Sequence, residues 1–136
     1  MVRKRRRGAA IVDTSKGILV VSGRKRLFIL PGGGARKGES RRKAAMRELR
    51  EETGLKPISS HYLFRYVGYV HKAHGGGYFQ DHNKVFLVKV VGKARPRHEV
   101  RHIEYYREGS EIRISRVTEK IINRYYQIKF GNNEMK

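Results

Sequence analysis

The apolar positions of this chain begin as two short runs, residues 9–12 and 17–22, parted by the polar stretch Asp13, Thr14, Ser15 and Lys16. Short apolar runs bounded by turn formers predict two strands joined by a turn. Residues 27–30 (Leu-Phe-Ile-Leu) predict a third strand, which Pro31 and the glycines Gly32, Gly33 and Gly34 end abruptly. From Glu39 or Ser40 to Thr53 the residues are good helix formers, and Gly54 stands where a helix is commonly terminated by a left-handed residue. Ala45, Met46 and Leu49 give that helix an apolar edge for packing. Residues 61–72 and 84–91 read as two strands joined across Gly75, Gly76 and Gly77, and residues 100–106 as another. Ile114, Val117, Ile121, Ile122 and Tyr125 recur at helical spacing, which predicts a second helix within residues 111–127. Strands interleaved with two helices predict an α/β fold in which helices cover a mixed sheet.

With 136 residues and a mass of 15.8 kDa, the chain has room for one core. The expected organisation is a basic N-terminal tail over 1–8, a single domain over 9–131 and a C-terminal tail over 132–136. The absence of cysteine excludes disulfides, thiolate metal sites, iron–sulfur clusters and a cysteine nucleophile. No run approaches the roughly 18 apolar residues that span a bilayer, and the first residues lack the apolar stretch of a signal peptide. A cytoplasmic protein with no membrane partner is expected.

Charge adds an anionic partner to this picture. The chain carries 32 Lys and Arg against 12 Asp and Glu, a formal charge of +20. Residues 1–47 hold 15 basic and 2 acidic side chains (+13), and residues 48–136 hold 17 and 10 (+7). Such a field concentrates polyphosphates or nucleic acid around a protein, although it serves solubility equally well.

Acidic residues are scarce, yet Glu48, Glu51 and Glu52 fall at i, i+3 and i+4 of the first helix, on one side of it. Like charges so placed repel, and a hard cation such as Mg²⁺ or Mn²⁺ would neutralise them through oxygen ligands. Taken alone, the helix is explained as well by a solvated charged face with an Arg47–Glu51 pair. The surrounding residues decide the matter. Gly33, Glu39, Arg47, Glu48, Leu49, Glu51, Glu52, Gly54 and Leu55 follow the spacing Gly-x5-Glu-x7-Arg-Glu-U-x-Glu-Glu-x-Gly-U, where U is a bulky aliphatic. This stretch resembles the signature of the Nudix hydrolases at all nine of its defined positions.

The resemblance implies an α/β/α sandwich around a mixed sheet. It implies hydrolysis of a pyrophosphate bond in a nucleoside diphosphate linked to a further group, or in a related polyphosphate, by water attack at phosphorus with Mg²⁺ or Mn²⁺ as cofactor. Carried over, Glu48, Glu51 and Glu52 would be catalytic metal ligands, with Glu48 the base in some relatives, and the Gly32 carbonyl a further ligand. Glu39 and Arg47 would brace the Gly33 loop onto the helix. A carboxylate outside the signature often joins such sites; Glu99 is the candidate, with Glu104 as the alternative.

The leaving group would be recognised by the segment from His71 to His82. In it and just before it, Tyr69, Tyr78 and Phe79 offer stacking surfaces, and His71, Lys72 and His74 offer contacts to phosphate. The histidines themselves do not have convincing zinc-site spacing. A small anionic substrate is expected, of the dinucleoside polyphosphate, ADP-ribose, nucleoside triphosphate or inositol pyrophosphate type. RNA, bound through the basic surface with or without cleavage of its 5′ end, is the alternative partner, and a homodimer stays open.

Overall fold

The computed structural model describes residues 1–134. Its elements run β1 (Val2–Ile11), β2 (Asp13–Thr14), β3 (Gly17–Ser22), β4 (Gly32–Gly34), α1 (Arg41–Thr53), β5 (Lys56–Lys72), β6 (Tyr78–Val91), β7 (His102–Tyr106) and α2 (Arg116–Glu134). A four-stranded mixed sheet has the order β4-β1-β6-β5, and a three-stranded sheet the order β2-β3-β7. The β1–β6 pair is parallel; every other strand pairing within the two sheets is antiparallel.

Alternation along the strands divides the interior into two layers. Ala9, Ile11, Ile18, Val20 and Val85 pack with Ile121, Ile122 and Tyr125 of α2. Their neighbours Ala10, Val12, Leu19, Phe86 and Val88 point the other way and pack with Ala45 and Leu49 of α1. The sheets therefore lie between the two helices, an α/β/α sandwich. Continuous apolar runs in β1 and β3 follow from this, because both faces of each strand are covered.

The first helix starts and stops where its sequence directs. The Ser40 side chain accepts the Lys43 N–H at 3.1 Å, and Gly54 takes a left-handed conformation (φ 75°) with its N–H on the Arg50 carbonyl. The second helix begins at Arg116 rather than near 111, with the Ser115 hydroxyl accepting the Thr118 N–H. Its core-facing stripe is the anticipated one, although Ile114 precedes the helix and bridges to Phe28.

Three expectations are corrected. Residues 2–7 are not a free tail: they form the outer half of β1 and pair with residues 78–83 of β6. Alternate arginines on a strand can face solvent on both sides, so the charge that suggests disorder does not prevent pairing. Residues 27–30 make only isolated bridges, Val21 to Ile29 and Phe28 to Ile114, and the strand at this point is the glycine segment β4. At the C-terminus, residues 132–134 continue α2, whereas 135 and 136 of the anticipated tail lie outside the described residues.

Candidate active site

The site is assembled around α1 and β4. Close approach of α1 to the sheet depends on Gly8 of β1: a β carbon there would overlap the Arg41 carbonyl oxygen and come within 2.9 Å of the Ala45 nitrogen. Gly8 pairs with Gly33 and Ala9 with Gly32, so β4 is held directly beside the helix. A β carbon on Gly32 would strike the Gly8 carbonyl, and one on Gly33 would meet the Glu48 carboxyl carbon at 2.7 Å. These glycines permit contact between backbone and acidic side chains.

Arg47 is the hub of the carboxylates. Its guanidinium donates to Glu39 through Nε (2.8 Å) and Nη2 (3.0 Å), to Glu48 and Glu51 through Nη1 (2.8 and 2.9 Å), and to the Gly34 carbonyl (3.2 Å). Glu39 also accepts the Arg36 N–H at 2.9 Å. Together these bonds hold the Glu39 carboxyl down to about 2, the Arg47 hydrogen bonds being the largest cause. The brace between the loop and the helix is thus an arginine fork on a carboxylate.

Glu52 differs from its neighbours. It accepts the Gly32 N–H at 3.1 Å, but burial pushes its carboxyl up to about 8, with the nearby charges of Glu48 and Glu99 adding to the rise. Glu99 reaches this neighbourhood because its loop is tied to the end of α1. The Arg95 N–H donates to the Thr53 carbonyl (2.8 Å) and the Arg97 N–H to that of Glu52 (3.1 Å), which satisfies carbonyls that the helix end leaves open. Glu48, Glu51, Glu52 and Glu99 consequently line one cleft of about 280 Å³, together with Gly34, Arg36, Arg47 and His98.

The donor set fits a hard dication: four carboxylates share a cleft in which one already resists ionisation, and the groups there able to ligate a cation are oxygens and one imidazole, the guanidiniums of Arg36 and Arg47 aside. As the side chains stand, Glu48 and Glu51 turn to Arg47, and no three acidic or imidazole groups among the described residues converge on one point. Cation binding would draw them from that partner. Glu104 pairs in β7 with Val20 and does not line the cleft.

A family comparison decides what this geometry belongs to: the NUDIX domain matches residues 2–119. The chain is a member of the Nudix family. It is a hydrolase acting on phosphorus-containing anhydrides. Among solved structures, a Nudix hydrolase family member from Chromobacterium violaceum is 32% identical, with a TM-score of 0.76 over 92% of this chain and 78% of its own. The MutT NUDIX hydrolase from Burkholderia pseudomallei is 20% identical (TM-score 0.73, 89% of this chain and 97% of its own). The MutT protein from Bacillus halodurans is also 20% identical (TM-score 0.72, 88% and 80%). The latter two likenesses concern the fold alone. No curated protein matches the chain. No described helix is long and apolar enough to cross a membrane.

Within the Nudix signature, Gly33, Glu39, Arg47, Glu48, Glu51 and Glu52 are gathered at one place, and Gly32 and Glu99 join them. His71, Tyr78 and Phe79 are not: none lines the carboxylate cleft. The presumed recognition loop is the end of the β5–β6 hairpin, with only residues 73–77 as its turn, and His71 stacks on Phe79 at 5.2 Å. Strand pairing continues further than the glycines suggest: β6 is bonded to β5 and to the outer half of β1 as far as Tyr78. Sequence reasoning missed Gly8, Arg36 and His98. Gly8 carries no local signal, since only the packing of α1 reveals its need; His98 adjoins Glu99 and could have been found with it.

Proposed function

We propose that this Nudix protein is a Mg²⁺- or Mn²⁺-dependent pyrophosphohydrolase of nucleoside diphosphates linked to a further group, or of related polyphosphates, working in the cytoplasm. The observation that carries the reading is the meeting of Glu99, from outside the signature, with Glu48, Glu51 and Glu52 in one cleft. In this reading Glu48, Glu51, Glu52 and the Gly32 carbonyl hold the cation. A bound cation would supply electrostatic stabilisation of charge on the phosphates and make water in the cleft easier to deprotonate. Glu99 accepts a proton from that water or completes the ligand set, with Glu48 the other candidate base. Arg47 braces the glycine loop against α1 through Glu39 and the Gly34 carbonyl and pairs with Glu48 and Glu51 until a cation takes them, and Arg36, on the cleft wall, neutralises substrate phosphate.

The test is a substrate panel with Mg²⁺: a dinucleoside polyphosphate, ADP-ribose, nucleoside triphosphates and an inositol pyrophosphate, with products separated by ion exchange. Cleavage of at least one, abolished by chelation, is expected. Failure to cleave any of them would end this reading.

A further inference from the structure

On the α1 side of the mixed sheet, basic side chains gather around the start of the helix. Arg6 of β1 pairs with His82 of β6, and in the next row Lys84 of β6 stands between Gly8 and Arg65 of β5. Side chains alternate along each strand, so Arg6, His82, Lys84 and Arg65 share the face that continues into Ala10 and Phe86, the face covered by α1. Arg41, the first residue of α1, lies over Gly8, where a β carbon would overlap its carbonyl oxygen, and donates through Nη1 to the His82 carbonyl at 3.3 Å. Arg6 donates through Nη2 to the Glu39 carbonyl at 2.9 Å. Each of these guanidiniums thus commits one nitrogen to a neutral carbonyl, out of a fork of three. Among the described residues, no carboxylate forms a salt bridge with Arg6, Arg41, Arg65 or Lys84.

The cluster lacks a counter-charge in three respects. A helix start favours negative charge, yet the first turn of α1 is Arg41, Arg42 and Lys43 with no acid. Burial, with the charges of Arg6 and Arg65 added, lowers the Arg41 guanidinium below its ordinary value. The His82 Nε2, on the same face, is buried and has no hydrogen-bond partner among the described residues. Arg6 and Arg65 are exposed, so the cluster opens to solvent, and none of its residues lines the carboxylate cleft.

We infer that Arg6, Arg41, Arg65 and Lys84 form a second binding site, separate from the carboxylate cleft, for a compact multivalent phosphate such as orthophosphate or pyrophosphate. The four cations come from β1, α1, β5 and β6 and meet at one place instead of running in a line, which suits a compact anion better than an extended one. A carboxylate brings one charge and two oxygens; a phosphate brings more of both, and its oxygens match the guanidinium fork. Its charge offsets the mutual repulsion of the four cations and the unfavourable first turn of α1. The His82 imidazole gains a polar neighbour where it now has none. Anhydride hydrolysis releases anions of this class, so the ligand is one that the chain meets as it works.

The test titrates the full-length protein, free of divalent metal, with pyrophosphate and with orthophosphate by calorimetry, and follows the His82 ring by NMR. The variants are Arg65→Gln, Arg41→Gln and Lys25→Gln; Lys25 is an exposed residue of another turn, so its variant loses the same charge elsewhere. Arg65→Gln and Arg41→Gln are each expected to weaken pyrophosphate binding about tenfold or more, as the loss of charge-assisted hydrogen bonds does, and Lys25→Gln less than about twofold. Arg65 is exposed, so its variant carries the test should Arg41→Gln fold poorly. The ring signals of His82 should move in step with pyrophosphate in the parent. No binding at low salt, equal losses in all the variants, or an unmoved His82 ring would overturn the site. A nucleoside diphosphate that competes with pyrophosphate and shows the same dependence on Arg65 supports recognition of the phosphates alone; binding of the nucleotide without binding of free pyrophosphate overturns the choice of a free anion. Turnover enters none of these readouts, so the site stands or falls independently of the hydrolytic reading.

Discussion

Gly33 and Glu48 are in direct register across the β4–α1 junction: the space that a β carbon at residue 33 would fill is already taken by the Glu48 carboxylate, 2.7 Å away. The glycine that opens the Nudix signature therefore serves an acid fifteen residues later. Gly33 is not among the positive-φ residues, so steric exclusion rather than backbone freedom explains it.

Gly33→Ala should accordingly displace Glu48 without straining the backbone. We expect kcat for anhydride hydrolysis to fall about 10- to 100-fold, as when the support of a metal ligand is disturbed. The melting temperature should move by only a few degrees. Unchanged kcat would show that Glu48 is not placed by this contact.

Glu52→Gln separates stability from catalysis. The amide still accepts the Gly32 N–H, and it removes a carboxylate whose charge is resisted by burial. The melting temperature of the metal-free variant should equal or exceed that of the parent, while turnover falls by about a hundredfold or more. Parental turnover would exclude Glu52 from the reaction.

Arg47→Lys keeps the charge but loses the fork that joins Glu39, Glu48, Glu51 and the Gly34 carbonyl. Loss of charge-assisted bonds in a half-buried setting should cost about 1–3 kcal/mol of stability and lower the rate as well. Thermal unfolding and kinetics on the same preparation test this; a variant with the parental melting temperature and rate would refute the bracing role.

The Glu39–Arg47 contact also predicts a response to acid. Its carboxyl is held at about 2 against an ordinary 4.5, so the folded state binds fewer protons than the unfolded chain in between. The contribution is complete above about 4.5 and is lost as pH falls towards 2. Denaturant titrations over this range should show a shallower decline of stability for Glu39→Gln than for the parent, and parallel declines would refute the linkage.

Much of the site was legible because its signals are local. A helix places residues three and four apart on one side whatever surrounds it, so the grouping of Glu48, Glu51 and Glu52 follows from spacing alone. Ser40 and Gly54 delimit that helix through bonds made within its own turns. Glu39 and Arg47 were paired by the family resemblance, and the fork between them is present.

Other features depend on what the chain meets after folding. Residues 2–7 looked like a solvated tail because charge suggests disorder, yet β6 supplies a parallel partner for each of them. Pairing of β5 with β6 out to Lys72 and Tyr78 makes the expected recognition loop an extended hairpin, and His71, Tyr78 and Phe79 do not line the carboxylate cleft. Gly8 is needed only because a helix lies against it, and Glu99 arrives only because Arg95 and Arg97 bond to the end of α1. The sequence by itself determined the acidic helix, its caps and its family, since these rest on contacts a few residues apart. Tertiary structure alone decided the neighbours of β1, the approach of α1 to the glycines and the place of Glu99, because distant backbone groups find their partners only once the sheets have formed.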